Sequence, residues 1–492
     1  MSRLLKSQNY LMKCLGFVLL FGFISLGAIG GCSNNDSGDT ETSRPDDIHD
    51  LAPGEIDIEV SGRGFTINGQ PFTVKGVNYS PIPIGTSFDD GDKIGDVFFD
   101  YFNPIHEVDI KLMKEMGVNT IRIYGMFPWH PQNGPADPNN PVADRDHTNF
   151  LDMLYDNGIC VFITYPIGDE AFKYKVVDQE PTDGSFFVVL PTGSGGTNEI
   201  WVEDEQSMSA GFNWLGQQTA AERRQSDKEA YLALADKYKN HPAVFGWVLT
   251  NEKNSPQSRV NPNFWSYLNE LAGELKVIAP KKETMITLID DGMLTLEKVE
   301  ENNFDVKNID IWGINSYRGN TNEATNNFDN LFSSFHAVSD KPLIVTEFGP
   351  PSSTRTEIIN AIGVPITPGD TSQLGFCSTG TFTEFDNTAQ MSVSDYLEGH
   401  WNDIVANSDV AAGGIVFSWV DEWWKSGNKN VLNKSPGDNA NFPGGCADEE
   451  AFGINSIVLK RGSPSDFPSP FVPDERVPRD QFFTLKQLWT GN

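Results

Sequence analysis

From Phe72 onward the chain alternates short apolar runs with amphipathic stretches. The apolar runs are Phe72–Asn78, Thr120–Tyr124, Val161–Pro166, Val244–Thr250, Thr284–Ile289, Ile309–Ser316, Leu343–Thr346 and Gly414–Ser418. Runs this short, rich in β-branched and aromatic residues, read as strands buried on both faces. Helical spacing falls between several of them, at Ile105–Met116, Thr219–Lys239, Phe264–Ile278, Phe328–Val338 and Val393–Val405. In Thr219–Lys239 the apolar residues Tyr231, Leu234, Ala235 and Tyr238 share one helix face. Gly117 is a helix stop after Met116, and Phe482–Trp489 reads as a closing helix. Strands alternating with helices predict a parallel sheet. Eight such units predict one closed (β/α)8 barrel of the α/β class. An open doubly wound sheet would want a glycine-rich loop after its first strand, and Gly76–Val77–Asn78–Tyr79–Ser80–Pro81 does not supply one.

A short β-hairpin is expected ahead of the barrel, with Arg63–Ile67 and Pro71–Val77 joined through Asn68–Gly69. Three connections, about 168–218, 350–391 and 421–479, are long. Each follows a strand, which places it on the C-terminal face where barrels build their sites.

The first 31 residues stand apart. Arg3, Lys6 and Lys13 precede an uncharged apolar stretch, Cys14–Ile29, as in a signal peptide. Ile29–Gly30–Gly31–Cys32 resembles the lipobox of bacterial lipoproteins, which makes Cys32 the lipidation site. Residues 32–54 are polar and read as a flexible tether, leaving 55–492 as the catalytic domain. The expectation is a monomer held by an N-terminal lipid anchor in the bacterial cell envelope. In a Gram-negative host, Ser33 suggests the outer membrane or cell surface.

The net charge of −32 disfavours a phosphate-backbone partner, so no nucleic acid is expected. Of five cysteines, Cys160 reads as an inert strand residue. Cys377 and Cys446 fall in loop sequence that would meet an oxidising compartment, and a disulfide between them is expected. No spacing suits zinc, and no metal or cofactor is expected.

The candidate chemistry lies at two strand tips. Glu347 ends Pro342–Leu343–Ile344–Val345–Thr346 and is followed by Phe348–Gly349. Glu252 follows Val244–Leu249 and Thr250–Asn251. Two facing carboxyls are the equipment for breaking a glycosidic bond. Arg122, if it points into the barrel mouth, would pair with Glu347.

These motifs resemble those of the clan A glycoside hydrolases. Thr346–Glu347–Phe348–Gly349 is similar to their nucleophile motif, and Asn251–Glu252 to their acid/base motif. Gly413–Glu422 resembles the eighth strand of family 2, and Asn119–Tyr124 the second strand of families 2, 5 and 72. The resemblance implies Glu347 as nucleophile, Glu252 as acid/base, and Asn251 on the sugar 2-hydroxyl. It further implies Tyr317 on the nucleophile and Trp419 as an apolar floor for the sugar; Trp129 and His130, on a C-terminal-face loop, are read as contacts because flat rings stack on sugars. The implied activity is a retaining β-glycosidase on a β-glucan or β-mannan type glycan. A β-glucan transglycosylase using the same two glutamates, and a glycan-binding lipoprotein without catalysis, are the alternatives.

Overall fold

The computed structural model describes residues 26–28, 58–87, 96–123, 125–126, 145–165, 167–172, 174–191, 197–203, 219–319, 327–352, 358–360, 393–425, 428–433, 437–438, 446–447 and 449–491. Eight strands close a parallel barrel: β1 Val74–Tyr79, β2 Thr120–Ile123, β3 Cys160–Thr164, β4 Val244–Asn251, β5 Glu283–Ile289, β6 Ile311–Asn315, β7 Leu343–Phe348 and β8 Ala411–Val416. Each pairs with its chain neighbours, and β8 returns to β1 through Gly413 opposite Val74. One barrel helix follows each strand: α1 Asn103–Met116, α2 Thr148–Asp156, α3 Ala220–Tyr238, α4 Pro262–Ile278, α5 Leu294–Glu301, α6 Leu331–Val338, α7 Val393–Ala406 and α8 Asp480–Thr490. The chain is therefore a single (β/α)8 barrel. β2, β3, β4, β6, β7 and β8 are buried at every position, which is why they read as continuous apolar runs.

Two helices have no counterpart among the sequence expectations. α2 and α5 are only nine and eight residues long, and each buries just three side chains. So short a stripe is hard to separate from loop sequence.

The expected hairpin through Asn68–Gly69 opens the barrel, with Gly64–Ile67 pairing Gln70–Phe72, and Ile58–Ser61 adds a third strand beside it. Asn68 and Gly69 both take positive φ (50° and 76°), the geometry that makes Asn-Gly a tight hairpin turn. Phe65 meets Phe245 at 5.1 Å and Phe72 meets it at 6.1 Å, so this small sheet plugs the N-terminal end of the barrel. Of the leader only Leu26–Ala28 is described, antiparallel beside Ile123 and Phe162.

The connection after β3 carries its own antiparallel sheet, Tyr174–Val177, Asn198–Glu203 and Phe187–Pro191. Glu203 accepts from Asn261 and Asn263 at the start of α4, tying that sheet to the barrel. The connection after β8 contains a hairpin, Asn455–Val458 with Glu475–Pro478. Three arginines anchor it: buried Arg461 to Asp474, Arg476 to Asp109 on α1, and Arg479 to Asp421. Cys160 is buried in β3 and takes part in no disulfide. Cys32 and Cys377 lie outside the described residues, as does the side chain of Cys446, so the expected lipidation and disulfide do too.

One buried carboxyl predicts a pH effect on stability. Glu283, at the start of β5, is pushed up to about 8 by burial and by the neighbouring Asp310. The native state holds this proton where the unfolded chain, with an ordinary Glu, has lost it. Stability is therefore fully present at acid pH and declines as pH rises from the ordinary carboxyl range towards 8. In urea titrations, Glu283→Gln should raise the unfolding midpoint at pH 8.5 more than at pH 5.

Candidate active site

Four strands deliver side chains to one point in the barrel mouth. Arg122 on β2 is fully buried. Its Nη1 donates to Glu347 Oε1 at 2.8 Å, to Thr346 O at 3.2 Å and to Asn315 Oδ1 at 3.3 Å. Its Nη2 donates to Asn251 Oδ1 at 2.5 Å. Asn315 Nδ2 donates to Asn251 Oδ1 at 3.1 Å and to Glu252 Oε1 at 2.9 Å. Thr346 Oγ1 completes Asn315 by donating to its Oδ1 at 2.8 Å. Both carboxyls thus share one network, with Arg122 on Glu347 and Asn315 on Glu252.

Strand register explains the meeting. Asn315 of β6 lies opposite Glu347 of β7, and Asn251 of β4 opposite Thr287 of β5. Glu252 then leaves the strand with φ of +55°, a left-handed backbone uncommon for a non-glycine residue. Its N–H is held by Thr287 O at 3.0 Å. On the other side Gly349 has φ of +146°, and a Cβ there would sit 2.5 Å from Phe417 O. Glycine is what lets the end of β7 close against β8 next to Glu347.

The two carboxyls differ electrostatically. Glu347 forms an ion pair with Arg122 and accepts a second bond, 2.7 Å, from the Tyr317 hydroxyl. Glu252 is pushed up to about 7, chiefly by burial and then by the charge of Glu347, with Asn315 and Arg122 pulling the other way. A carboxyl taken out of water beside a second carboxyl is the arrangement that keeps a proton near neutral pH.

Arg122, Asn251, Glu252, Tyr317 and Glu347 therefore converge as expected. Asn251 accepts both its bonds on Oδ1, which leaves its Nδ2 for a ligand. Trp419 does not join them. Its ring has no exposed surface and packs 6.3 Å from Phe482 of α8. β8 ends at Val416 and the chain bends through the next residues, so Phe417 and Trp419 point to different places. Phe417 takes the expected position instead: it stands edge-on to Tyr317 at 6.4 Å and to Phe452 at 5.4 Å. Trp129 and His130 lie outside the described residues. Asp290 is held by Arg318 and Ser316, while Asp291 accepts from the N–H and hydroxyl of Thr295 at the start of α5, so both serve the protein itself.

Asn315 was missed in the sequence, although it is the residue joining both carboxyls. An amide at the tip of an otherwise apolar strand, two residues before Tyr317, was the available signal. Lys425, with Glu422 and Glu449, was missed too, because only the folded chain brings Glu449 to Lys425. Among the described residues no group of His, Cys, Asp and Glu is placed to hold a metal, and no helix is long and apolar enough to cross a membrane.

An eight-stranded parallel barrel with carboxyls at the tips of β4 and β7 agrees with the resemblance to the clan A glycoside hydrolases. No family model matches the chain. Among curated proteins it is similar to 1,3-beta-glucanosyltransferase GAS4 of Saccharomyces cerevisiae, 25% identical over 308 residues, 59% of this chain and 52% of that protein. Beta-galactosidase bgaB of Geobacillus kaustophilus is 26% identical over 147 residues, 29% of this chain and 18% of that protein. Among solved structures, a Bacteroides uniformis beta-glucuronidase is 15% identical with a TM-score of 0.47, covering 88% of this chain and 37% of that one. A GH2 beta-galacturonidase from Eisenbergiella tayi is 11% identical with a TM-score of 0.46, covering 89% and 55%. The chain spans about half or less of the length of each of these relatives.

The network predicts opposite shifts at Glu252. Asn315→Ala removes a donor to its carboxylate and should raise its pKa above the present value of about 7. Glu347→Gln removes the neighbouring negative charge and should lower it. Carboxyl-carbon NMR titration of the two variants reads both directions.

Proposed function

We propose that this protein is a retaining β-glycosidase that cleaves a poly- or oligosaccharide by double displacement. The observation carrying the reading is the asymmetry of the two carboxyls: Glu347 held by Arg122 and Tyr317, Glu252 raised to about 7 beside it. Glu347 attacks the anomeric carbon and forms a covalent glycosyl-enzyme, while Glu252 protonates the departing oxygen. Glu252, now ionised, takes the proton of the incoming water as the sugar–Glu347 bond breaks. Asn251 Nδ2 donates to the sugar 2-hydroxyl, a bond that strengthens as positive charge grows at the anomeric centre. The substrate we favour is a β-glucan or β-mannan type glycan, and the chain acts as a monomer tethered through Cys32 to the bacterial envelope.

A β-glucan transglycosylase is the second reading. It is favoured by the similarity to the yeast glucanosyltransferase, which spans more of this chain than the β-galactosidase match does. The same intermediate serves both reactions, and the acceptor decides between them. A glycan-binding protein without turnover would have no use for a paired, asymmetric set of carboxyls.

Incubation with β-1,3-, β-1,4- and β-1,6-glucans and mannan, with products resolved by size, tests these readings. Shorter products indicate hydrolysis and longer ones transfer; no change with any polymer would overturn both. Glu347→Gln should abolish turnover and keep binding. Glu252→Ala should lose about 100- to 10,000-fold on natural glycans and much less on substrates with good leaving groups. Because Glu252 must enter the reaction protonated, kcat/KM should fall as pH rises past about 7.

A further inference from the structure

Beyond β8 the chain runs along the rim of the mouth and is stitched to the segment that returns over it. Ser418 N–H donates to Phe452 O at 3.0 Å, and Glu422 N–H to Glu450 O at 3.0 Å. This stitching sets Glu449 beside Lys425. The Lys425 ammonium lies 2.9 Å from Glu422 Oε2 and 3.6 Å from Glu449 Oε2. It also sits over the ring of Phe417, 4.5 Å from its centroid. Glu422 is buried, whereas the Glu449 side chain keeps 33% of its surface open. The cluster flanks both reactive carboxyls: Glu449 is among the charges that push Glu252 up, and Glu347 among those that hold Lys425 cationic.

We propose that Lys425 and Glu449 read hydroxyls of the donor sugar and restrict the site to neutral glycosyl units, excluding uronates. This rests on the glycosidase reading above. One ammonium here faces two carboxylates. Arg122, the cation beside Glu347 among the described residues, is committed to Glu347, Asn251, Asn315 and Thr346. A uronate carboxylate entering beside Phe417 would meet Glu422, Glu449 and Glu347, and neither Arg122 nor Lys425 has charge to spare for it. Like charges brought together at short range give discrimination against the wrong ligand. A neutral sugar meets the opposite situation. Lys425 has three N–H groups, not all used by its two carboxylates, and Glu449 has an open acceptor, the complement of a pair of hydroxyls.

The full-length protein would be given matched β-glycosides that differ only in the sugar: glucoside against glucuronide, galactoside against galacturonide. Aryl glycosides and short β-linked oligosaccharides would both be used. The expected result is a preference of about 100-fold or more in kcat/KM for a neutral sugar over its uronate. In Glu449→Gln that ratio should narrow by about 10-fold, through gain on the uronate, with a thermal melt confirming that the variant is folded. Equal or better turnover of the uronate would overturn this proposal and leave the glycosidase reading standing. An unchanged ratio in folded Glu449→Gln would make the cluster structural and overturn it too. Turnover of no sugar of either kind, in glycosides or polymers, would remove the glycosidase reading and this proposal with it.

Discussion

The buried charge of Arg122 is the constraint on which the mouth of this barrel depends. A guanidinium without solvent is tolerable only if acceptors surround it and a carboxylate neutralises it. Here the acceptors come from β4, β6 and β7, and the carboxylate is Glu347. Slipping any of those strands by one residue would turn its tip to the other face and leave the charge unpaired. The cost of that failure ties the register of four strands together. The plug of Phe65 and Phe72 against Phe245 at the opposite end helps hold the closed ring in place.

The same charge separates the roles of the two glutamates. Glu347 lies within β7 and receives Arg122 directly, so its position is set by strand geometry. Glu252 sits one residue past β4 on a left-handed backbone and receives only the Asn315 amide. A neutral donor offsets less of the desolvation of a carboxylate than a cation does. Burial therefore dominates at Glu252 and leaves it close to neutral pH. The two carboxyls therefore differ in backbone as well as in partners, Glu252 on a left-handed residue and Glu347 within ordinary strand.

What could be read from the sequence follows this division. All eight strands were legible to within a few residues, because strands covered on both faces leave unbroken apolar runs. Glu347, Glu252 and Arg122 were legible as polar residues at or near the tips of those runs, and Tyr317 through the resemblance. The small sheet after β3 was not, since nearly all its residues are partly exposed and its alternation is weak. Trp419 was assigned to the mouth because it closes the run that resembles an eighth barrel strand. The strand ends earlier, at Val416, and the bend after it gives the place beside Tyr317 to Phe417. Asn315 was overlooked for a different reason: its importance lies in how many partners it joins, which only the closed barrel reveals.

The rim of the mouth is built from loops, yet it is anchored as firmly as the strands. Arg479 grips Asp421 with two bonds, at 2.8 and 2.7 Å, and also donates to Gly453 O. Gly453 in turn donates its N–H to Asp421. Asp421 immediately precedes Glu422, and Gly453 lies four residues beyond Glu449, so this one arginine clamps both sides of the cluster around Lys425. Arg476 on Asp109 and Arg461 on Asp474 extend the clamp down to α1 and the β1 connection. Side chains carried on loops hold a productive geometry only when a supporting layer fixes them. In this barrel arginines do so twice: Arg122 for the carboxyls of β4 and β7, and the trio Arg461, Arg476 and Arg479 for the wall around Lys425.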